Sequence, residues 1–240
     1  MRKCVYFLSD VHLGLDVCDP RAREERLARF LESLSAEGTE ALYLLGDIWD
    51  FWYEYRDVVP AGYARVFAAL QSLIADGVAV HFFSGNHDIW CYRYFQSLGI
   101  QVHHGPACVT HSGRTFMLAH GDGLGPGMRV YKCMKAVFRS KITQWLFSTF
   151  VPVRAAFALG NGWSRHNRLA RGERYVFKGE PEPLYRWALA VDPQPDYFVF
   201  GHLHCKVDMT MPSGARLFVL GDWLDGSDVI CFDGESIGRV

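Results

Sequence analysis

No C-x-x-C pair occurs in the 240 residues, and the seven cysteines are odd in number and scattered. That pattern speaks against a thiolate zinc site and a disulfide framework, and it fits a reducing compartment. No uninterrupted apolar run reaches the roughly 20 residues that a spanning helix needs. The opening run Cys4-Val5-Tyr6-Phe7-Leu8 is too short for a secretion signal and reads as a first strand. An excess of one charge is missing too. The formal net charge is −1, which leaves no global electrostatic footprint for nucleic acid. There is no internal repeat, no low-complexity tract and no linker long enough to divide the chain, so one domain over residues 1–240 is expected. A cytoplasmic location follows as an expectation. Neither nucleic acid nor an obligate protein partner is expected.

What is present begins with core material: half the residues are hydrophobic and 15% are aromatic. Short apolar runs at Cys4–Leu8, Ala41–Leu45 and Val78–Phe83 have the continuous character of strands covered on both faces. Between them, Pro20–Ser35 and Ala61–Ala75 carry apolar residues at helical spacing, the first opened by Asp19-Pro20 as cap and first helical residue. Strands alternating with helices predict a layered α/β domain. Further strands are expected on either side of Gly105-Pro106, at Thr115–Ala119 and at Asp196–Phe200, with a helix over Pro183–Val191. Lys206–Thr210, Arg216–Leu220 and Val229–Phe232 read as a closing antiparallel run, and Ile89-Trp90 as the start of a helical segment.

The chemistry gathers where these strands end. Asp10 and His12 follow the first, Asp47 the second, Asn86-His87-Asp88 the third, His120 the strand at Thr115–Ala119, and His202 and His204 the strand at Asp196–Phe200. Carboxyl ends of strands in open α/β sheets are where ligands bind. Asp10, His12, Asp47, Asn86, His120, His202 and His204 offer oxygen and nitrogen but no sulfur, and are too many for one ion. They suit two divalent cations sharing a carboxylate. Mixed imidazole and carboxylate ligation favours Mn²⁺ first, with Fe or Zn²⁺ as alternatives, over Ca²⁺ or Mg²⁺. Such a pair lowers the pKa of a water and clamps the oxygens of a phosphoryl group. His87 is the candidate proton donor, with Asp88 placed to orient its ring.

Two further stretches are open to more than one reading. Trp49, Phe51, Trp52, Tyr53 and Tyr55 form either core packing under a loop or a pocket wall for a ring or an acyl chain, with Trp49 and Trp52 the candidate contacts. Residues 124–178 interrupt the strand–helix rhythm with helical-looking runs, Met128–Phe150 and Val153–Leu169, that mix aromatics with Lys132, Lys135, Arg139, Lys141 and Arg154. They read as a lipid-binding lid or as a helical hairpin with a solvated basic face. Ser164, Arg165 and Arg168 suit a phosphate or a sugar, as would any polar helix face.

Asp-x-His, Gly-Asp, Gly-Asn-His-Asp, a later His and Gly-His-x-His, in this order, resemble the calcineurin-like metallophosphoesterase superfamily. The resemblance implies an α/β (α+β), four-layer αββα sandwich, here with an inserted helical lid. It implies that Asp10, His12 and His204 hold one ion, that Asn86, His120 and His202 hold the other, and that Asp47 bridges. His87 is implied to stabilise the transition state or protonate the leaving oxygen. Gly46-Asp47-Ile48-Trp49-Asp50-Phe51-Trp52, His120-Gly121-Asp122-Gly123-Leu124-Gly125-Pro126-Gly127, Trp163-Ser164-Arg165 and Leu220-Gly221-Asp222-Trp223 resemble a branch acting in lipid A biosynthesis. That implies a lipid-linked nucleotide substrate, UDP-2,3-diacylglucosamine, cut at its diphosphate, and peripheral contact with the inner leaflet of the cytoplasmic membrane. The proteobacterial members of that branch carry Arg where this chain has His87. Two alternatives use the same motifs: a phosphomonoesterase or cyclic-nucleotide phosphodiesterase, and a non-catalytic scaffold. An apolar lid argues against the first, and the complete donor set against the second.

Overall fold

The continuous apolar runs become the inner strands of two sheets stacked face to face. The computed structural model describes residues 3–55, 58–160, 162 and 175–240. Strands β1 (Cys4–Leu8), β2 (Thr39–Leu44), β3 (Ala79–Phe83) and β4 (Gln101–His103) run parallel. The second sheet begins with β5 (Ala107–His111), β6 (Arg114–Ala119) and β7 (Tyr197–Phe200). It is completed by β8 (Val207–Thr210) and β9 (Arg216–Val219), in the order β5-β6-β7-β9-β8, with β6, β7 and β9 parallel. The first sheet is finished by β10 (Val229–Phe232) and β11 (Ile237–Arg239), giving β11-β10-β1-β2-β3-β4.

Residues alternating along each strand are therefore buried on both sides. Val5, Phe7, Tyr43 and Phe83 from one sheet meet Phe116, Leu118, Val199 and Phe218 from the other. The opposite face of the first sheet is covered by α1 (Pro20–Ser33) and α2 (Ala64–Ala75), through Leu27, Leu31, Leu70 and Leu73. A single turn, α3 (Tyr94–Ser97), lies at the end of this layer and buries Phe95. Three helices follow β6: α4 (Arg129–Arg139), α5 (Lys141–Phe150) and α6 (Val153–Gly160). The outer face of the second sheet takes α7 (Pro183–Leu189), through Leu184, Tyr185 and Ala188. This is the expected αββα sandwich. Asp19 caps α1 through its side chain, accepting from the N–H groups of Arg21 and Ala22 with Pro20 in the first turn.

The closing segment departs from the sequence expectation. Only β8 and β9 pair antiparallel; β9 lies parallel to β7, and β10 crosses to the first sheet, antiparallel to β1. Ile230 and Phe232 are wholly buried in the inter-sheet core, so β10 covers the flank of β1 that β2 leaves open. The long run Met128–Phe150 is also divided. Ser140 takes an extended conformation, ends α4 and caps α5 by accepting from Thr143 N–H. Ile89 and Trp90 precede the short α3 rather than starting a helix of their own.

Candidate metal centre

All the parallel strands that matter end on one edge of the sandwich, and the loops that follow them converge there. Asp10, His12, Asp47 and His204 place ligand atoms within 4.8 Å of one another, and Asp47, His120 and His202 form a second such group. Asp47 belongs to both. Asn86 joins the second, its Oδ1 lying 3.3 Å from His120 Nε2. The seven residues expected from the sequence are thus brought together.

Their orientation follows from what holds them. Each of three histidines commits Nδ1 outward: His12 to Asp50 Oδ1 at 3.1 Å, His120 to the Leu45 carbonyl at 2.8 Å, His204 to Asp222 Oδ2 at 3.2 Å. Those acceptors fix the tautomer and leave Nε2 as the inward nitrogen. The aspartates divide their oxygens in the same way. Asp10 Oδ2 accepts from His202 N–H and Asp47 Oδ1 from His87 N–H, both at 2.9 Å. Asp10 Oδ1 faces His204 Nε2 at 3.3 Å and His12 Nε2 at 3.7 Å, while Asp47 Oδ2 faces His120 Nε2 at 3.3 Å. Five of the seven sit at positive φ: Asp10 at 54°, His12 at 50°, Asp47 at 52°, His202 at 71° and His204 at 55°. Side chains rarely adopt that backbone, and strain of this kind concentrates at functional sites.

The electrostatics are those of a site built around positive charge. Burial pushes the Asp10 carboxyl up, against the pull of His204 and His120. Burial acts the same way on Asp47, but His120 and His87 outweigh it and hold that carboxyl well below the usual range. Burial draws His120 down, but Asp47 carries it up to about 10, and burial with His120 beside it pushes His202 down to about 3. Asp10 Oδ1 is buried and accepts no hydrogen bond among the described residues. A buried carboxylate oxygen of that kind is costly unless a cation meets it. Oxygen and imidazole donors without sulfur fit divalent cations of intermediate hardness.

His87 stands at the rim, its ring crossing that of His12 at a centroid distance of 4.9 Å. Its Nδ1 donates to the Asp50 carbonyl at 2.7 Å. Asp88, expected to orient this ring, does something else. It is wholly buried, and its oxygens accept from the N–H groups of Ile48 at 2.8 Å and Gly85 at 2.7 Å, tying the β2 and β3 loops together. Burial and nearby Asp47 push its carboxyl to about 7. Asp50 takes over the orienting role, and sequence reading missed it, as it missed Asp222. Both look like ordinary turn residues; the one available signal is that each lies in a Gly-Asp loop, Asp50 three residues after Asp47 and Asp222 directly after Gly221.

The aromatic patch divides between the two readings left open above. Trp49 and Trp52 are each 1% exposed and pack with Phe67 and Phe95, so the pocket-wall role gives way to core packing. Phe51, Tyr53 and Tyr55 instead receive the inserted helices, contributed by Phe147, Val151, Ala156 and Phe157. A cavity of about 300 Å³ remains beside them, lined by Leu13, Phe51, Val59, Tyr63 and Phe157 and bordered by Asp50. The insertion is tied to the centre: Lys135 Nζ meets Asp122 Oδ2 at 2.5 Å, Tyr131 OH donates to the same oxygen at 2.8 Å, and Trp90 Nε1 donates to the Phe138 carbonyl at 2.8 Å. Ser164, Arg165 and Arg168 lie outside the described residues.

The model of the calcineurin-like phosphoesterase family matches residues 5–206. A UDP-2,3-diacylglucosamine hydrolase of Porphyromonas gingivalis is 37% identical over 255 residues, covering 99% of this chain and 97% of that protein. Proteins of the same description from Aeromonas salmonicida and Xanthomonas axonopodis are each 31% identical, covering 95% of this chain and 90% and 95% of theirs. The strand-end donors all fall inside the matched span, and with similarity running along nearly the whole polypeptide, the chain belongs to the calcineurin-like phosphoesterase family.

Proposed function

We propose that this protein hydrolyses the diphosphate of UDP-2,3-diacylglucosamine, releasing UMP and 2,3-diacylglucosamine 1-phosphate. The observation that carries the reading is the pair of donor groups sharing Asp47, in a chain similar end to end to hydrolases described by that substrate. Asp10, His12, Asp47 and His204 would hold one cation, and Asp47, Asn86, His120 and His202 the other, with Mn²⁺ the first candidate. When bound, such a pair polarises phosphoryl oxygens and makes a water acidic enough to attack near neutral pH.

The chain's own residues do the rest. His87 gives Nδ1–H to the Asp50 carbonyl, which leaves Nε2 to carry a proton to the departing oxygen. Asp50 and Asp222 keep His12 and His204 in the tautomer that ligation needs. The acyl half of the substrate has apolar side chains to meet: Leu13, Phe51, Val59 and Phe157 in the wall of the cavity, and Ile142, Trp145 and Phe150 exposed on the insertion among lysines and arginines. Among the described residues no single helix is long and apolar enough to cross a membrane, and α5 and α6 are bent by 118°. Peripheral attachment to the cytoplasmic leaflet, with the protein otherwise in the cytoplasm, is the arrangement that delivers such a substrate.

Turnover in H₂¹⁸O tests the chemistry. Purified protein with Mn²⁺ and UDP-2,3-diacylglucosamine is expected to place the label in UMP, because water attacks the nucleotide's own phosphorus. Label in the lipid product, or faster turnover of p-nitrophenyl phosphate or cyclic nucleotides, would overturn the assignment.

A further inference from the structure

The two donor groups are unequal in charge. The first holds two carboxylates, Asp10 and Asp47, and Asp50 and Asp222 stand behind its histidines. The second shares Asp47 and otherwise offers the Asn86 amide and two imidazoles. Asp122 stands beside this second group. It follows His120 by two residues and is 4% exposed. Burial pushes its carboxyl up, but His120, Lys135 and His202 outweigh that and hold it below the usual range. A charge so placed is little screened by water and reaches the donors next to it.

What meets that charge comes from the insertion. Lys135 Nζ lies 2.5 Å from Asp122 Oδ2 and donates to the Asp122 carbonyl at 2.9 Å, and Tyr131 OH donates to Oδ2 at 2.8 Å. Both residues are on α4, one turn apart. The helix comes this close because Gly123, at φ 71°, carries no side chain: a Cβ there would lie 3.2 Å from the Tyr131 ring and 3.8 Å from Lys135 Cδ. Further tethers of α4 lead to the loops that bear His120 and Asn86. Lys132 Nζ donates to the Gly125 carbonyl at 2.5 Å, and the Phe138 carbonyl accepts from Trp90 Nε1 at 2.8 Å. No residue of α4 is buried, so polar bonds rather than core packing bring Lys135 to the centre.

We infer that Asp122 is a positioning residue for the second cation, and that Lys135 sets how much of its charge that cation feels, so that the insertion tunes one half of the centre. The inference rests on the two-cation reading in the proposed function and adds residues outside the donor set. With Lys135 seated, the Asp122–Lys135 pair is neutral as a whole, and the second donor group keeps its field for an anionic diphosphate. Without the ammonium group the carboxylate is uncompensated: it favours the cation and repels the substrate. A purely mechanical clip would behave differently, since loss of either partner would release α4 in the same way.

Mn²⁺ binding separates the two. Calorimetric titration of the chelator-treated full chain is expected to give two equivalents for wild type. In Lys135→Met the affinity of one equivalent is expected to rise about tenfold, in Asp122→Asn to fall about tenfold, and in the double variant to return close to the wild-type value. Lys135→Arg keeps the charge and is expected to bind as wild type does. In a His202→Ala background, which retains the first donor group, the same substitutions are expected to leave the remaining equivalent unmoved. Shifts of one sign in both single variants, no shift in either, or shifts that persist in the His202→Ala background overturn the inference while the two-cation centre stands. Wild-type protein that binds fewer than two equivalents overturns that centre and the inference with it.

Discussion

At the scale of single residues, space around the donors is as specified as the donors themselves. Gly201 is the sharpest case. A Cβ there would overlap Ser9 Oγ and Asp10 Oδ2, and neither can retreat: Ser9 Oγ donates to the Leu45 and Gly46 carbonyls, and Asp10 Oδ2 holds His202 N–H. Gly201→Ala is therefore expected to lower cation content and cut turnover at least about tenfold, since a sub-ångström shift of a positioned group costs that much or more. Gly105→Ala, where nothing lies within 4 Å of the added carbon, serves as the control and is expected to behave as wild type. His87→Ala should separate chemistry from binding, with kcat falling about 10²–10⁴-fold while metal analysis gives the wild-type stoichiometry. Loss of cation there would make His87 a ligand. The sequence made the seven donors legible because their side chains have the right chemistry at strand ends. The left-handed backbone of five of them was hidden, because the tertiary contacts that impose positive φ on Asp10 or His204 leave no local trace. Asp50 and Asp222 were hidden for another reason: a carboxylate that orients a histidine is indistinguishable, by spacing alone, from one that caps a turn.

The elements add two expectations. The inserted helices expose Ile142 at 72%, Trp145 at 63% and Phe150 at 73%, on a segment whose inner side rests on Tyr53 and Trp90. Large exposed apolar groups flanked by Arg129, Lys132 and Lys141 suit an anionic lipid surface. Ile142→Ser with Trp145→Ser is expected to reduce co-sedimentation with phosphatidylglycerol vesicles several-fold while detergent-dispersed substrate is still hydrolysed; unchanged sedimentation would count against membrane contact through this face. The second expectation concerns the β2–β3–β4 edge, where His81 Nδ1 and His103 Nε2 are 3.1 Å apart, His81 stacks on Tyr43, and His111 joins Tyr43 to Glu40. Burial, with His103 and His111 nearby, pushes His81 down to about 4, and burial with His104 beside it lowers His103. Below about pH 6.5 the unfolded chain then binds protons that the folded one refuses, so this pair costs stability as pH falls from about 6.5 to about 4. Partial exposure screens the effect to roughly 1–2 kcal/mol. Urea unfolding of His81→Gln at pH 7 and pH 4.5 should show a smaller loss than wild type. Helices and strands were largely readable from periodicity. The break at Ser140 and the transfer of β10 to the other sheet were not, because helical spacing continues through Ser140 and an apolar run does not say which sheet it joins.

For the whole molecule, the centre acts as a fastening. Its donors come from loops after β1, β2 and β3 in one sheet and β6 and β7 in the other, so cations held there join both sheets at one edge. Without them, Asp10, Asp47, Asp50 and Asp88 are four buried carboxyls crowded with histidines. Binding to the folded chain alone stabilises it by RT ln(1 + [L]/Kd), about 2.7 kcal/mol at a hundredfold excess over Kd. For a chain of this size each kcal/mol moves Tm by roughly 2–4 °C. Chelator-treated protein given back Mn²⁺ should thus gain about 5–10 °C per saturated site at that excess. The shared position of Asp47 distinguishes two coupled sites from two separate ones. His202→Ala touches only one donor group, so it should keep one equivalent of Mn²⁺ and part of the thermal gain. Asp47→Ala removes a ligand from both and should lose most of the gain along with activity. If Asp47→Ala kept one full equivalent and the same partial gain as His202→Ala, the carboxylate would belong to a single ion, and the bridged centre on which the proposed hydrolysis depends would be wrong.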